Sequence, residues 1–549
     1  MKERLRSIIK TAVEELYPGA VTEEIRFSVE YTDNPQFGDI AANIAMQLAK
    51  SLRKNPKVIA EEIAAKISDP YIKKAEAAGT GFVNIFLSDT PFHEWLSSLL
   101  NAGESRAPLR PVLGAGKKAL VEFVSANPTG PLHIGHGRGA VVGDNIANIL
   151  EAAGYKVKRE YYVNDAGNQM TNLAASIFSR YSALFDRQLQ FPQDGYHGEY
   201  IAEIAKDIKR EYDDSLFSMT EASALEICRK EGIKTILNCI DGTLKLFKVK
   251  VDDYFSETSL YEGGNIDRTL KKMETAGCVY EQDGALWFAS SRFGDTEDRV
   301  LKKSDGSYTY LAPDIAYHDG KFDRGYDLLV DVWGSDHHGY IKRLECALEV
   351  LGHNGKKFDV VLVQMVGLVN GGERMVMSTR KGQFITLDWL INETGSDAAR
   401  FFYNMRSPDS QFEFDVELAK QESTDNPVYY VQYAHARISG LMEKAEIKGI
   451  PTDYPNLSLL TEEKERSVIK KLMEMKDVIA ACAQYNEPHR LSYYLTELAG
   501  EFHSYYYSFA IADENAKELS GARLALCKGV ASALKFGLNL LGVTAPDSM

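Results

Sequence analysis

The sequence predicts a central α/β domain built on parallel strands, preceded by an α+β module and followed by an α-helical bundle. Three observations carry this. Residues 117–425 alternate strand-like and helix-like runs, the pattern of a parallel sheet with crossover helices. Residues 427–549 hold almost no strand signal, and their apolar residues recur at helical spacing. Residues 1–110 mix helical runs with a short strand-like stretch and end in a Pro/Gly-rich linker. A length of 549 residues, at roughly 150 per domain, fits three or four such units.

The elements follow in order. Leu5, Ile8, Ile9, Ala12, Val13 and Leu16 make one face of an opening helix, with Glu14 and Glu15 on the other, so this segment is not a signal peptide. Phe82-Val-Asn-Ile-Phe86 reads as a strand. The linker, Asn101 to Gly116, holds Pro108, Pro111 and three glycines. Ala119–Val124 is the first strand of the central domain. The turn Ser125–Pro131 leads into His133-Ile-Gly-His-Gly-Arg-Gly139. Val141, Val142, Ile146, Ile149 and Leu150 then line a helix, with Gly154 where a C-terminal cap belongs. Tyr155–Val163 is the next strand. This βαβ unit opens its helix on small residues, where free backbone N–H groups and the positive helix end suit a phosphate. Val360–Val369 reads as buried strand interrupted by Gln364. Asp425-Asn-Pro427 is a helix-start signature, followed by helical spacing through Tyr430, Tyr433, Ala434, Ile438 and Leu441. Residues 465–482, 490–508 and 516–541 continue the bundle.

Composition narrows the function. The chain is 44% hydrophobic and 26% charged, which excludes disorder and collagen, and it has no apolar run of the ~18 residues a membrane span needs. Six cysteines, no two closer than 11 residues, exclude CxxC zinc and redox motifs. HExxH is absent as well. No structural zinc or other protein-held metal is expected, and a reducing cytoplasm is the expected location. The net charge of −15 divides into −1 for residues 1–115, −12 for 116–426 and −2 for 427–549. Such acidity disfavours indiscriminate nucleic-acid binding and leaves room for a specific RNA partner. Lys50, Arg53, Lys54 and Lys57 form a local basic patch. The acidic centre suits a cationic substrate.

Two motifs carry chemistry. A chance HxGH string is expected about 0.02 times in a chain of this composition, and this one sits in strand–turn–helix context. Two histidines three residues apart on one helical turn can donate to one triphosphate, with Gly135 letting a nucleotide approach the backbone. The second motif, Val376-Met-Ser-Thr-Arg-Lys-Gly382, places two adjacent cations in a glycine-flanked loop after Asn370-Gly-Gly372, as a clamp on leaving pyrophosphate requires.

Together these resemble the HIGH and KMSKS signatures of class I aminoacyl-tRNA synthetases. The longer strings Val121–His136, Asn34-Pro-Gln-Phe-Gly-Asp39 and Val431–Ile438 resemble arginyl-tRNA synthetases of the bacterial type, over essentially the whole chain. The resemblance implies a Rossmann-like catalytic domain at 117–425 with an insertion around 180–300. It implies an N-terminal D-loop reader at 1–110 and an anticodon-binding helical domain at 427–549. Arginine attacks the α-phosphate of Mg·ATP to give arginyl-adenylate and pyrophosphate, and the 3′-terminal adenosine of tRNA(Arg) then takes the arginyl group. No covalent enzyme intermediate is needed, so catalysis is positioning and charge stabilisation.

By matching motif positions, the resemblance implies that His133, Gly135 and His136 meet ATP phosphates and that Met377, Ser378, Arg380 and Lys381 lie on the clamp. Gly334, Asp336 and His337 would lie near the adenosine ribose. Glu122, Asn127, His133, Tyr310 and Asp314 match the arginine-binding positions, and Phe82 and Asn84 the D-loop contact. A guanidinium demands carboxylates. An unpaired Glu122 inside an apolar strand is costly, so Glu122 is either a ligand group or half of an internal salt bridge. Tyr429, Tyr430, Tyr433 and Tyr505–Tyr507, near His435 and Arg437, offer stacking surface for anticodon bases, although most belong to the bundle core. One departure stands out: Thr379 occupies the second lysine of the usual signature, and Gly130 occupies the place of a compensating lysine before HIGH, which leaves Arg380 and Lys381 as substitutes. A monomer acting on ATP, L-arginine and tRNA(Arg), with no membrane partner, is expected. The alternatives are a class I synthetase of another specificity, a tRNA-independent adenylyl-transfer enzyme of the same fold, and a non-catalytic RNA-binding paralogue.

Overall fold

The computed structural model describes residues 1–20, 25–32, 34–353, 355–375, 385–452 and 455–549. The clamp residues Met377, Ser378, Thr379, Arg380 and Lys381 lie outside the described residues.

The N-terminal module packs α1 (Lys2–Leu16), α2 (Ile44–Leu52) and α3 (Pro56–Lys66) on an antiparallel sheet. Its strands are β1 (Val29–Tyr31), β2 (Ile40–Ala42), β3 (Ile72–Ala78) and β4 (Phe82–Leu87), in the order β1-β2-β4-β3. The predicted face of α1 is the buried one, with Leu5, Ile9, Ala12 and Val13 inside. Helix α4 (Thr90–Ala102) leads into the linker.

The central sheet contains β5 (Lys118–Glu122), β6 (Lys156–Val163), β7 (Asp253–Ser256), β11 (Leu328–Gly334) and β12 (Lys357–Val363), all parallel, in the order β12-β11-β5-β6-β7. Helix α5 (Ile134–Ala152) crosses from β5 to β6, and Gly154, at φ +94°, follows it in the left-handed conformation expected there. Between β6 and β7 stand α6 (Asn168–Ala183), α7 (Glu199–Tyr212) and α8 (Glu221–Leu246). Between β7 and β11 come α9 (Thr258–Glu262), α10 (Asn265–Thr275) and an antiparallel sheet of β8 (Val279–Gln282), β9 (Ala285–Phe288) and β10 (Arg299–Lys302). Helix α11 (Leu311–Asp323) then lies behind β11, and α12 (Ile341–Val350) precedes β12.

Two strand readings change. β5 stops at Glu122 rather than Val124, because Val124 and Ser125 turn to φ +67° and +37°. The run Val360–Val369 is two strands in different sheets: β12, and β13 (Val366–Asn370), which pairs with β14 (Glu373–Arg374) and β15 (Phe412–Asp415). The break has a cause. Gln364 donates its amide to Pro408, and its carbonyl accepts from fully buried Arg138 at 3.2 Å, so neither group can serve a continuous ladder.

Helices α13 (Leu387–Thr394), α14 (Ser396–Tyr403) and α15 (Val416–Lys420) lead to the bundle of α16 (Pro427–Ile447), α17 (Glu463–Tyr485), α18 (His489–Ser508) and α19 (Lys517–Leu540). Asn426 caps α16 through its side chain, as its position before Pro427 implies. One apolar core runs through the N-terminal module, α5 and the bundle. Buried Arg400 joins the parts, donating to the Leu541 carbonyl at 2.8 Å and the Phe247 carbonyl at 2.9 Å and pairing with Asp144 of α5. Among the described residues no helix is long and apolar enough to cross a membrane, and all six cysteines are free thiols.

Candidate active site

Ligands of open parallel sheets bind beyond the carboxyl ends of the strands. A cavity of about 400 Å³ lies there. Glu122 at the end of β5, Tyr162 near the end of β6, Glu257 just after β7 and Trp333 with Gly334 at the end of β11 form its walls. Tyr310, Asp314 and His318 reach it from the first turns of α11, and Tyr340 closes it from the turn before α12.

The floor is a buried charge cluster. Lys321, at 0% exposure, donates to Glu122 Oε2 at 2.5 Å and to Asp331 Oδ1 and Oδ2 at 2.9 and 3.1 Å. Ser125 Oγ donates to Glu122 Oε1 at 2.9 Å and accepts the Tyr162 amide at 3.1 Å. The left-handed Val124-Ser125 pair makes this possible by folding the chain back onto the strand end. A β-branched residue in that region is strained, by about 1–3 kcal/mol. Burial alone would raise the Asp331 carboxyl; Lys321 and His318 override it and hold it below its ordinary value. Burial likewise opposes the charge on Lys321, and Asp331, Glu122 and Glu160 hold its pKa above the usual lysine value. Glu160 takes the Tyr317 hydroxyl at 2.8 Å and Arg324 Nη2 at 2.8 Å. Glu122, His318 and Asp331 bring possible ligand atoms within 4.8 Å of one another, but the Lys321 ammonium already sits against two of the three, so the set suits an ammonium rather than a metal ion.

The mouth differs. Among the described residues, neither Asp314 nor Glu257 forms an ion pair with a lysine or arginine. Burial lifts the Asp314 carboxyl to about 6, with the Glu122 charge adding to the effect and His318, Tyr340 and Lys321 opposing it. Burial and then Asp314 itself raise the Glu257 carboxyl. Two carboxyls thus share one cavity, with Asp314 raising Glu257, and such a pair has the charge to take a cation.

The His-Ile-Gly-His turn begins α5. His133 caps the helix: its Nδ1 accepts the Gly135 amide at 3.1 Å, and His136 Nδ1 accepts the His133 amide at 3.2 Å. The rings stack, 3.7 Å between centroids. Burial pushes His133 down and His136 down to about 3, so both are neutral at physiological pH. With Nδ1 accepting, each ring carries its proton on Nε2 and is a donor there. Gly135 makes room for the cap: a Cβ there would meet His133 Cε1 at 2.9 Å. The expected free amides are not free. Ile134 N donates to Ile385 O, Gly135 N to His133 Nδ1 and His136 N to His133 O, so what this turn offers an anion is its imidazoles and the positive helix end rather than free amides.

The chain that resumes at Ile385 is tied to the His-Ile-Gly-His turn. Leu387 N donates to Leu132 O at 2.8 Å, and with the Ile134–Ile385 bond this holds the described segment after the second motif against the start of α5.

The other predicted positions divide. Glu122, Tyr310, Asp314, Gly334 and His337 meet at the cavity, with Tyr310 standing 86% exposed at its rim. Asn127, His133, His136 and Asp336 are not among its lining residues. In the N-terminal module Phe82 is 39% exposed, but Asn84 is buried in the sheet between Ala41 and Glu76, so its amide is not offered to a partner. Glu257, Tyr162, Lys321 and Asp331 escaped sequence reading. The signal available for Lys321 was a lysine among Ile315, Ala316, Tyr317 and Phe322 on one helix.

A parallel sheet whose first crossover helix opens on two imidazoles, beside a charged cavity at the strand ends, is the architecture of class I aminoacyl-tRNA synthetases. The family described as "tRNA synthetases class I (R), catalytic domain" matches residues 98–413. "Arginyl tRNA synthetase N terminal domain" matches 3–87, and "DALR anticodon binding domain" matches 431–549. An arginine–tRNA ligase of Geobacter sp. (strain M21) is 45% identical, with 100% of each chain covered. Arginine–tRNA ligase 1 of Halalkalibacterium halodurans is 45% identical over 100% of this chain and 99% of its own. The Thermus thermophilus arginyl-tRNA synthetase structure shares the fold, with a TM-score of 0.77 at 22% identity and all of both chains covered. The chain belongs to the arginyl-tRNA synthetase family.

Proposed function

We propose that the chain is an arginine–tRNA ligase that forms arginyl-adenylate and pyrophosphate from L-arginine and Mg·ATP, then esterifies the 3′-terminal adenosine of tRNA(Arg). The observation that carries the arginine specificity is the Asp314–Glu257 pair, two raised carboxyls without a cation in a cavity of side-chain size. A guanidinium pairs with such carboxylates through its planar fork of donors. Glu122 adds a third, already half-satisfied carboxylate, and Tyr310 covers the mouth.

His133 and His136 supply neutral Nε2 donors to the triphosphate, and His133 and Asn127 meet the amino acid's α-groups. Gly334, Asp336 and His337 receive the adenosine, and Met377, Ser378, Arg380 and Lys381 clamp the pyrophosphate. Every part acts by holding reactants in line and stabilising charge on the transferred phosphoryl group. Mg²⁺ enters with ATP rather than as a resident ion. Exposed Phe82 supports a D-loop contact by stacking. In the bundle, Arg437 lies 4.5, 4.7 and 5.3 Å from the ring centroids of Tyr433, Tyr506 and Tyr507, and Tyr507 is 74% exposed, which supports base stacking on that face. Six free thiols favour a reducing cytoplasm, and a monomer is the expected state.

ATP–pyrophosphate exchange with each of the twenty amino acids, with and without total tRNA, tests this. Exchange with arginine alone, and only when tRNA is present, is the expected result. Exchange driven by another amino acid overturns the arginine assignment, and exchange without RNA overturns the tRNA coupling.

A further inference from the structure

The cavity floor carries a cation that a ligand does not reach. Lys321 lies two helical turns after Asp314 on α11 and is wholly buried. Charged and titratable groups face it from every element packed around it: Glu122 on β5, Glu160 on β6, Asp331 on β11, and Tyr317 on its own helix, whose ring centroid is 4.3 Å from the ammonium. Its three short contacts match the three protons of an ammonium. One of them falls on Glu122 Oε2, the carboxylate that the cavity shares. The other Glu122 oxygen is taken by Ser125 Oγ. Each oxygen therefore keeps further lone-pair capacity, and the direction of that capacity is set by these two bonds. His318 links floor and mouth: Nε2 lies 2.7 Å from Asp331 Oδ2, and Nδ1 lies 2.7 Å from the backbone carbonyl of Asp314.

We propose that Lys321 is a positioning residue for amino-acid recognition: it fixes the direction in which Glu122 presents its remaining lone pairs to the guanidinium and offsets its charge, so that the carboxylates of the mouth supply most of the pocket's pull on a cation. Without Lys321, Glu122 and Asp331 become buried like charges, and Glu122 turns toward whatever cation enters. This rests on the arginine reading above. Ser125 acts on the same carboxylate from the other side, through the strained Val124-Ser125 turn.

The test is a double-mutant cycle on the full chain, read by arginine-dependent ATP–pyrophosphate exchange with tRNA present. The wild type comes first, because absence of arginine-dependent exchange there defeats the functional reading rather than this inference. Lys321→Met keeps the length and apolar stem of the side chain and removes the charge. It is expected to raise the KM for arginine about 30-fold or more, as removal of one partner of a buried charge pair does, while the KM for ATP stays within about 2-fold. An arginine effect less than about ten times the ATP effect overturns the proposal. The second arm compares Glu122→Gln with the double variant E122Q/K321M, which lacks both partners of the contact and keeps the cycle readable if the single lysine variant fails to fold. If Lys321 acts through Glu122, the two share the same arginine KM within about 3-fold. A larger further rise in the double variant means that Lys321 acts elsewhere, and the proposal falls.

Discussion

At the floor of the cavity Glu122, Asp331 and Glu160 each face a cation; at its mouth Asp314 and Glu257 face tyrosines and each other. Both levels lie within one small volume and hold the same functional group, with Asp314 partly covered and the others buried. The floor follows the ordinary rule that a buried charge is paired. The mouth departs from it, and a cationic ligand restores the rule there. The difference teaches where to look for specificity: the acids without a cation supply the charge a ligand answers, and the paired ones, Glu122 among them, are held in fixed orientation by the frame.

Variants on the two levels break or sharpen this contrast. The largest effect is expected at the floor. Lys321→Met leaves the Glu122 and Asp331 carboxylates buried without their shared cation and costs about 3–5 kcal/mol of stability, seen as a lower urea midpoint. Retention of the wild-type midpoint would erase the distinction. At the mouth, Asp314→Asn or Glu257→Gln raises the KM for arginine about 100-fold, a loss of 2–5 kcal/mol, with the KM for ATP nearly unchanged. Equal changes in both constants remove that residue from the amino-acid pocket.

A smaller effect follows from pH. Asp314 binds a guanidinium as the carboxylate, so the KM for arginine climbs as pH falls through about 6 and by about tenfold per unit below it. The KM for ATP is expected to change far less over the same range, because His136, pushed down to about 3, stays neutral and burial lowers His133 as well. Coincident profiles would contradict the separation of the two subsites. The smallest effect is on the unliganded protein. A raised carboxyl disfavours the ionised folded state; that cost is fully present above about 6 and vanishes below the ordinary aspartate value. Asp314→Asn is therefore expected to stabilise the apo-protein at pH 7.5 by about 1–2 kcal/mol and to lose that advantage at pH 4. Calorimetry at the two pH values measures it.

Much of this was legible in order along the chain. The face of α1, the cap at Asn426 and the turn at Gly154 follow from local rules that the fold obeys. Resemblance assigned Glu122, Tyr310 and Asp314 to arginine and Gly334 and His337 to the adenosine; these five line one cavity, whereas Asn127, His133 and Asp336, assigned with them, do not. Where reading failed, long-range partners were the cause. Val360–Val369 splits at Gln364 because Arg138, more than two hundred residues earlier, takes its carbonyl. Resemblance put Asn84 at the D-loop contact, yet its strand is central in its sheet and the side chain is buried. The amides of the HIGH turn looked free because their acceptors include Ile385, far along the chain.

The sequence by itself determined the parts and the reaction class: periodicity and caps are local, and a motif such as His-Ile-Gly-His is written in consecutive residues. Only the tertiary structure decided which acids are paired. Glu122 and Lys321 are 199 positions apart, and Asp314 and Glu257 belong to different elements. Whether a carboxylate holds the frame or waits for a ligand depends on a distance of a few ångströms across the fold, and a carboxylate's energy in a low-dielectric interior depends steeply on that distance.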